Sequence, residues 1–168
     1  MAEIRIACGR TATYTDTLGR IWAADNSFSG GATFTIANSI ANTPDQTIFQ
    51  SERSAIAKAD FFYSISIPNG TYTLKLGFAE IGFNFVGERF FNVFAQGIQI
   101  LSSYDIIADS GGKNVAVIKS FPITVVDGIA SLRFVSFVDN AKISNIEIVP
   151  IALAITNPAT PLMLLACL

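Results

Sequence analysis

Residues 63–81 read YSISIPNGTYTLKLGFAEI, and this stretch decides the fold class. Tyr63, Ile65 and Ile67 alternate with Ser64 and Ser66, the period-two pattern of a strand with one buried face. Pro68, Asn69 and Gly70 make a turn, because proline presets its φ and Asn and Gly tolerate left-handed backbone. Tyr72, Leu74, Leu76 and Phe78 resume the period, while Thr71, Thr73 and Lys75 face the other way. The pattern predicts two strands paired as a hairpin.

The same periodicity extends outward. Ile4, Ile6 and Cys8 mark a first strand. Residues 90–95 and 98–101 are strands joined around Gly97, and residues 115–126 form a strand whose Pro122 implies an edge or a bulge. Asp127 and Gly128 signal a turn before strands at 132–138 and 143–149, with Asp139 and Asn140 in the loop between them. No helix of normal length is expected, and residues 51–60 hold at most one short turn. About eight or more strands with this punctuation predict an all-β fold, a two-sheet β-sandwich of jelly-roll type. Residues 1–150 are read as this domain. Residues 151–168 are apolar but broken by Asn157, Pro158 and Pro161, short of the roughly 20 continuous apolar residues of a membrane span. They read as a tail or linker, with a terminal edge strand as the alternative.

Composition narrows the function. The 168 residues suffice for one domain with a sizeable core. The 11 Lys and Arg form no cluster and the net charge is −2, which argues against nucleic-acid binding. There is no histidine, so Ser-His-Asp and Cys-His catalysis and histidine-containing zinc sites are excluded. Cys8 and Cys167 stand near opposite ends, with nothing in their spacing to favour a bridge. The NGT at 69–71 fits a glycosylation pattern but reads first as a turn. Asp16, Asp25, Glu52, Glu80, Glu88, Asp105, Asp109 and Asp139 are the candidate carboxylates, and their neighbours suggest no catalytic pair. Glu80 ends a strand within reach of a loop, and Arg53 beside Glu52 reads as an ion pair. No enzyme activity, metal or cofactor is expected.

Sugar binding asks for less. An aromatic face stacks on a pyranose ring, and carboxylates and amides fork onto its hydroxyls, usually from loops at one end of a rigid scaffold. Phe83, Asn84 and Phe85 lie in a loop between Gly82 and Gly87, Asp139 and Asn140 end a late strand, and Phe34 follows Gly30 and Gly31.

Several blocks together resemble the malectin and malectin-like domains. They are IACG near the start, YTDTLGRIWAAD with Asp16, Gly19, Trp22 and Asp25, TIFQSER at 47–53, and PNGTYTLKLGFAEI. GERFFNVFAQGIQIL, YDI at 104–106 and ISNIEI at 143–148 complete the set. The resemblance runs from Ile4 to about Val149. It implies a jelly-roll module that binds a glucose-containing oligosaccharide without catalysis, in the secretory pathway or outside the cell, as part of a larger or processed protein. The family's ligand-binding aspartate corresponds to Asp139. Its adjacent Tyr-Phe pair falls on Gly82 and Phe83, so the tyrosine is lost. Phe49 takes the aromatic place in the TIFQSER block, Ser54 replaces a following tyrosine, and Phe34 loosely matches an early loop tyrosine. The expected site is therefore Phe34, Phe49, Phe83, Asn84, Asp139 and Asn140, short of several hydroxyls. The alternative is a structural or protein-interaction domain that kept the fold and lost the sugar.

Overall fold

The computed structural model describes residues 2–151. In chain order the strands are β1 (Ile4–Ala7), β2 (Tyr14–Thr15), β3 (Ile21–Ala24), β4 (Phe28–Ser29), β5 (Ala32–Thr35), β6 (Ser51–Ser54) and β7 (Phe61–Ser66). They continue with β8 (Gly70–Phe78), β9 (Phe90–Ala95), β10 (Ile98–Tyr104), β11 (Val117–Val125), β12 (Ile129–Val138), β13 (Lys142–Ile143) and β14 (Asn145–Pro150). One short helix, α1 (Ile106–Ser110), precedes β11. Asp105 caps its start by accepting from the Ala108 N–H, and Gly111 ends it in the left-handed conformation. The apolar segment from residue 152 onward and Cys167 lie outside the described residues.

The strands form a six-stranded sheet ordered β11-β8-β14-β1-β3-β2 and a five-stranded sheet ordered β10-β9-β12-β7-β4. A small third sheet has the order β13-β6-β5. The two large sheets pack face to face. Leu74, Leu76, Phe78, Ile146 and Ile148 of one meet Phe61, Tyr63, Phe91, Val93 and Phe134 of the other in a single buried cluster. Phe61 and Phe134 stack at 4.6 Å between ring centres. Seven of the 19 aromatic residues are buried here, and each ring removes a large apolar area from water.

The period-two reading of 63–81 holds, but its pairing does not. β7 and β8 lie in different sheets: β8 is flanked by β11 and β14, and β7 by β12 and β4. The turn at 68–70 is an arch over the edge of the core. Alternation reports which face of a strand is buried and nothing about which strand lies beside it. Asn69 ties this arch to the next one. Its amide donates to the Val126 carbonyl at 2.9 Å and accepts from the Gly128 N–H at 2.7 Å. The hairpin around Gly97 does form, β9 against β10, with Gln96 and Gly97 both at positive φ as a tight two-residue turn requires. β11 is an edge strand, as Pro122 implies.

Arg53 and Glu52 do not pair with each other. Neighbours on a strand point to opposite faces. Arg53 binds Asp25 at 2.8 Å, and Glu52 pairs with Lys142. Asp25 also accepts from the Gly9 N–H and the Tyr63 hydroxyl, each at 2.8 Å, which locks the IACG turn to the core. A side chain at Gly9 would drive its Cβ into the Glu52 backbone, and Gly9 also has positive φ, so only glycine fits.

Candidate functional site

The 82–88 loop joins β8 to β9 and is held from several directions. The Glu88 carboxylate accepts from the Asn84 and Phe85 N–H groups at 2.9 and 2.8 Å. Glu80 accepts from the Gly82 and Phe83 N–H groups at 2.9 and 3.2 Å, the strand-end contact expected of it. Asp105 accepts from the Gly87 N–H at 2.7 Å. Lys113 donates to the Gly82 carbonyl and to the Asn84 side-chain oxygen at 3.0 and 3.2 Å. A loop fixed this densely presents Phe83 and Asn84 in one arrangement before any ligand arrives, which lowers the ordering cost of binding.

Arg89, at the far end of that loop, links it to the 139–140 turn. Its Nε donates to Glu80 at 2.7 Å. Its Nη1 donates to the Asn140 carbonyl and lies 3.9 Å from the Asp139 carboxylate. Its guanidinium carbon is 4.9 Å from the centre of the Phe83 ring. Phe83 and Asp139 are thus one side chain apart, both partly exposed. Asp139 has positive φ, and its Oδ1 accepts from the Asn140 N–H. Asn140 in turn accepts from the Lys58 N–H at 2.8 Å, which adds the 55–60 loop to the cluster.

Beneath this surface runs a buried chain of charge. Lys142 is fully buried; it donates to the Ala79 carbonyl at 2.7 Å, pairs with Glu52 and lies 3.9 Å from Glu80. Burial alone would raise the Glu80 carboxyl, but Lys142, Arg89 and the Gly82 N–H outweigh it and hold Glu80 below the usual carboxylate range. The register sets Phe34, a residue 52% exposed, directly opposite Glu52. Phe34 therefore belongs to the same end of the molecule.

Phe49 does not. It is 2% exposed and packs with Trp22, Ile48 and Ile81 in a second core cluster. It forms the floor of a separate cavity of about 420 Å³ on the outer face of the six-stranded sheet, with Lys75 and Glu147 in its wall. The block resemblance gave Phe49 an aromatic identity but could not say which way the ring points. Of the expected residues, the fold brings together Phe83, Asn84, Asp139 and Asn140, leaves Phe34 exposed on β5 opposite Glu52 and takes Phe49 away. Arg89 was missed. Its only signal was an arginine at a predicted strand start, and its role depends on Glu80 and Asn140 arriving from elsewhere in the chain.

The candidate carboxylates all have structural partners. Asp16 accepts from the Trp22 indole at 2.9 Å and from Arg20 and Leu18. Asp105 caps α1, and Asp109 binds the Tyr104 hydroxyl and Lys119 at 2.9 Å each. Asp25, Glu52, Glu80, Glu88 and Asp139 are bonded as described above.

Sequence and structure comparisons match this architecture. The Malectin domain family model covers residues 2–158. A probable leucine-rich repeat receptor-like serine/threonine-protein kinase of Arabidopsis thaliana is 32% identical over 90 residues, 50% of this chain and 9% of the kinase. Another probable kinase of this type from the same plant is 28% identical over 112 residues, 55% of this chain and 12% of its own length. The chain thus spans only a small part of these relatives. Among solved structures, the ANX2 ectodomain of Arabidopsis thaliana superimposes with a TM-score of 0.79 at 19% identity, covering 90% of this chain and 50% of that one. A β-glucuronidase of Bacteroides uniformis gives 0.77 at 23% identity, over 90% of this chain and 18% of the enzyme. These two likenesses show the fold alone. With the family model spanning nearly the whole chain and a β-sandwich beneath it, this protein belongs to the malectin domain family.

Proposed function

We propose that this chain is a non-catalytic carbohydrate-binding module that works outside the cell as part of a larger protein. Its ligand is a glucose-containing oligosaccharide, held by the loop cluster. The observation that carries this reading is the Arg89 bridge, which sets a partly exposed aromatic ring and a partly exposed carboxylate next to each other on loops already fixed by hydrogen bonds. Phe83 would stack on a pyranose face, with the Asp139 carboxylate and the side chains of Asn84 and Asn140 taking hydroxyls. Phe34 extends the apolar rim.

A protein-interaction role is the second reading. It is favoured by Asp139 bonding its own loop and by the exposure of Phe85, Val86 and Phe137, at 71%, 62% and 68%. Titration calorimetry of gluco-oligosaccharides against the wild type, Phe83→Ala and Asp139→Ala separates the two. Sugar binding lost in both variants, with their melting curves unchanged, supports the carbohydrate reading. A folded wild type that binds no oligosaccharide supports the interaction reading instead.

A further inference from the structure

A row of five side chains crosses the outward face of the five-stranded sheet, one from each strand. Ser29 on β4 stands opposite Phe62 on β7, and Phe62 opposite Arg133 on β12. Arg133 stands opposite Phe94 on β9, and Phe94 opposite Gln99 on β10. Directly paired residues project from the same face. That this face is outward follows from their neighbours, since Tyr63, Leu132, Phe134, Val93 and Ala95 are in the core. Phe62 is 41% exposed and the Arg133 side chain 51%. Two strand spacings separate Phe62 from Phe94, about 9.5 Å, and the whole row is about 19 Å long. The Arg133 guanidinium lies 5.7 Å from the Phe94 ring centre and is steadied by Asp60 at 2.7 Å. A shallow groove of about 320 Å³ runs over Phe62, Ser64, Phe94, Ser131 and Arg133.

We propose that this row is a second glycan-binding surface, a platform for an extended polysaccharide chain. Two phenylalanines set about 9.5 Å apart can each stack on a sugar ring of one extended chain, with one ring between them lying over Arg133. The guanidinium and the Ser64, Ser131 and Gln99 side chains offer hydroxyl partners on either side. A protein-docking patch would favour a continuous apolar centre with charge at its rim. Here a cation divides the two rings, hydroxyl side chains flank them, and Asp60 neutralises the cation. Arg133, on β12, lies six residues before Asp139, about 20 Å along the strand direction, so the platform and the loop cluster can be disabled separately.

The test is retention of the purified chain on insoluble β-1,4-glucan (amorphous cellulose) and on insoluble β-1,3-glucan. A Phe83→Ala/Asp139→Ala background isolates the platform from the loop cluster. In that background the chain is expected to be retained. Adding Phe62→Ala and Phe94→Ala should lower retention about tenfold, and Phe62→Trp should raise it. If the double alanine variant does not keep the wild-type melting curve, Phe62→Ala alone serves, since Phe62 lies outside the core and is 41% exposed. Equal retention with and without the two phenylalanines overturns the proposal. So does the absence of retention on both glucans. A chain that self-associates through Phe62 and Phe94 and ignores both glucans identifies the row as a protein interface and overturns it as well.

Discussion

Replacing Lys142 with methionine tests the buried charge chain beneath the loop cluster. The ammonium is fully buried, and among the described residues it is the only cation paired with Glu52, whose side chain is 5% exposed. Glu80 would keep Arg89 at 2.7 Å and the Gly82 and Phe83 N–H groups. The cost therefore concentrates on one stranded carboxylate, Glu52, together with the Ala79 carbonyl that loses its donor. Methionine fills similar space, so packing loss is small. Breaking a buried pair from one side costs about 3–5 kcal/mol. At about 2–4 °C per kcal/mol for a domain of this size, the melting temperature should fall by roughly 6–20 °C. Urea unfolding of the wild type, Lys142→Met, Glu52→Gln and the double variant measures this. The double variant should be more stable than the two single costs imply, by about 2 kcal/mol or more, because a neutral amide in place of the Glu52 carboxylate no longer needs a cation. A Lys142→Met cost under about 1 kcal/mol, or additivity within about 0.5 kcal/mol, would falsify the account.

Two further expectations follow from the site and from its electrostatics. By the family resemblance Gly82 stands where a tyrosine is expected; its φ is not positive, and a Cβ there would meet Glu80 Oε1 at 3.3 Å and Arg89 Nη2 at 3.7 Å, so this buried pair would have to shift by a few tenths of an ångström. Gly82→Tyr should therefore fold with a small loss of stability and, by supplying a hydroxyl worth about 1 kcal/mol, tighten gluco-oligosaccharide binding roughly fivefold by calorimetry; unchanged or weaker binding in a variant that keeps a cooperative melt would count against the loop cluster as the sugar site. Asp16 is the clearest source of acid sensitivity. Burial pushes its carboxyl up, but the bonds from the Trp22 indole, Arg20 and Leu18 outweigh this and bring it down from the ordinary 3.8 to about 2. A depressed folded value means that its stabilisation is complete above the ordinary value and is lost as pH falls through about 2. Thermal melts between pH 5 and 2 should show the wild type losing stability more steeply than Asp16→Asn, and parallel curves would remove Asp16 from the explanation.

Much of the fold was legible from local pattern. Alternation in 63–67 and 72–78 reported strands with one buried face, because side-chain direction reverses at every residue and burial selects one side. Pro122 marked an edge because it cannot donate to a ladder. Gly97 marked a true hairpin because a tight turn needs positive φ, which glycine adopts freely. The family resemblance pointed to Phe34, Phe49, Phe83 and Asp139, and the loop reading added Asn84 and Asn140; the fold sets the 83–84 and 139–140 segments on either side of Arg89 and buries Phe49.

Partnership across the chain was the part that the sequence left open. Two strands whose buried faces meet across a core show the same alternation as two strands hydrogen-bonded side by side, so β7 and β8 looked paired and are not. Glu52 and Arg53 are adjacent in the chain, yet a strand sends them to opposite faces and to separate partners, Lys142 and Asp25. Phe49 carries the right ring in the wrong direction, since identity at a position does not set exposure. Arg89 acquires its role only when the 80, 83 and 139–140 segments meet around it. The row from Ser29 to Gln99 likewise exists only because five strands align in register. Periodicity is written in the order of residues, whereas register and contact arise from long-range packing, and these decide where this protein can hold a ligand.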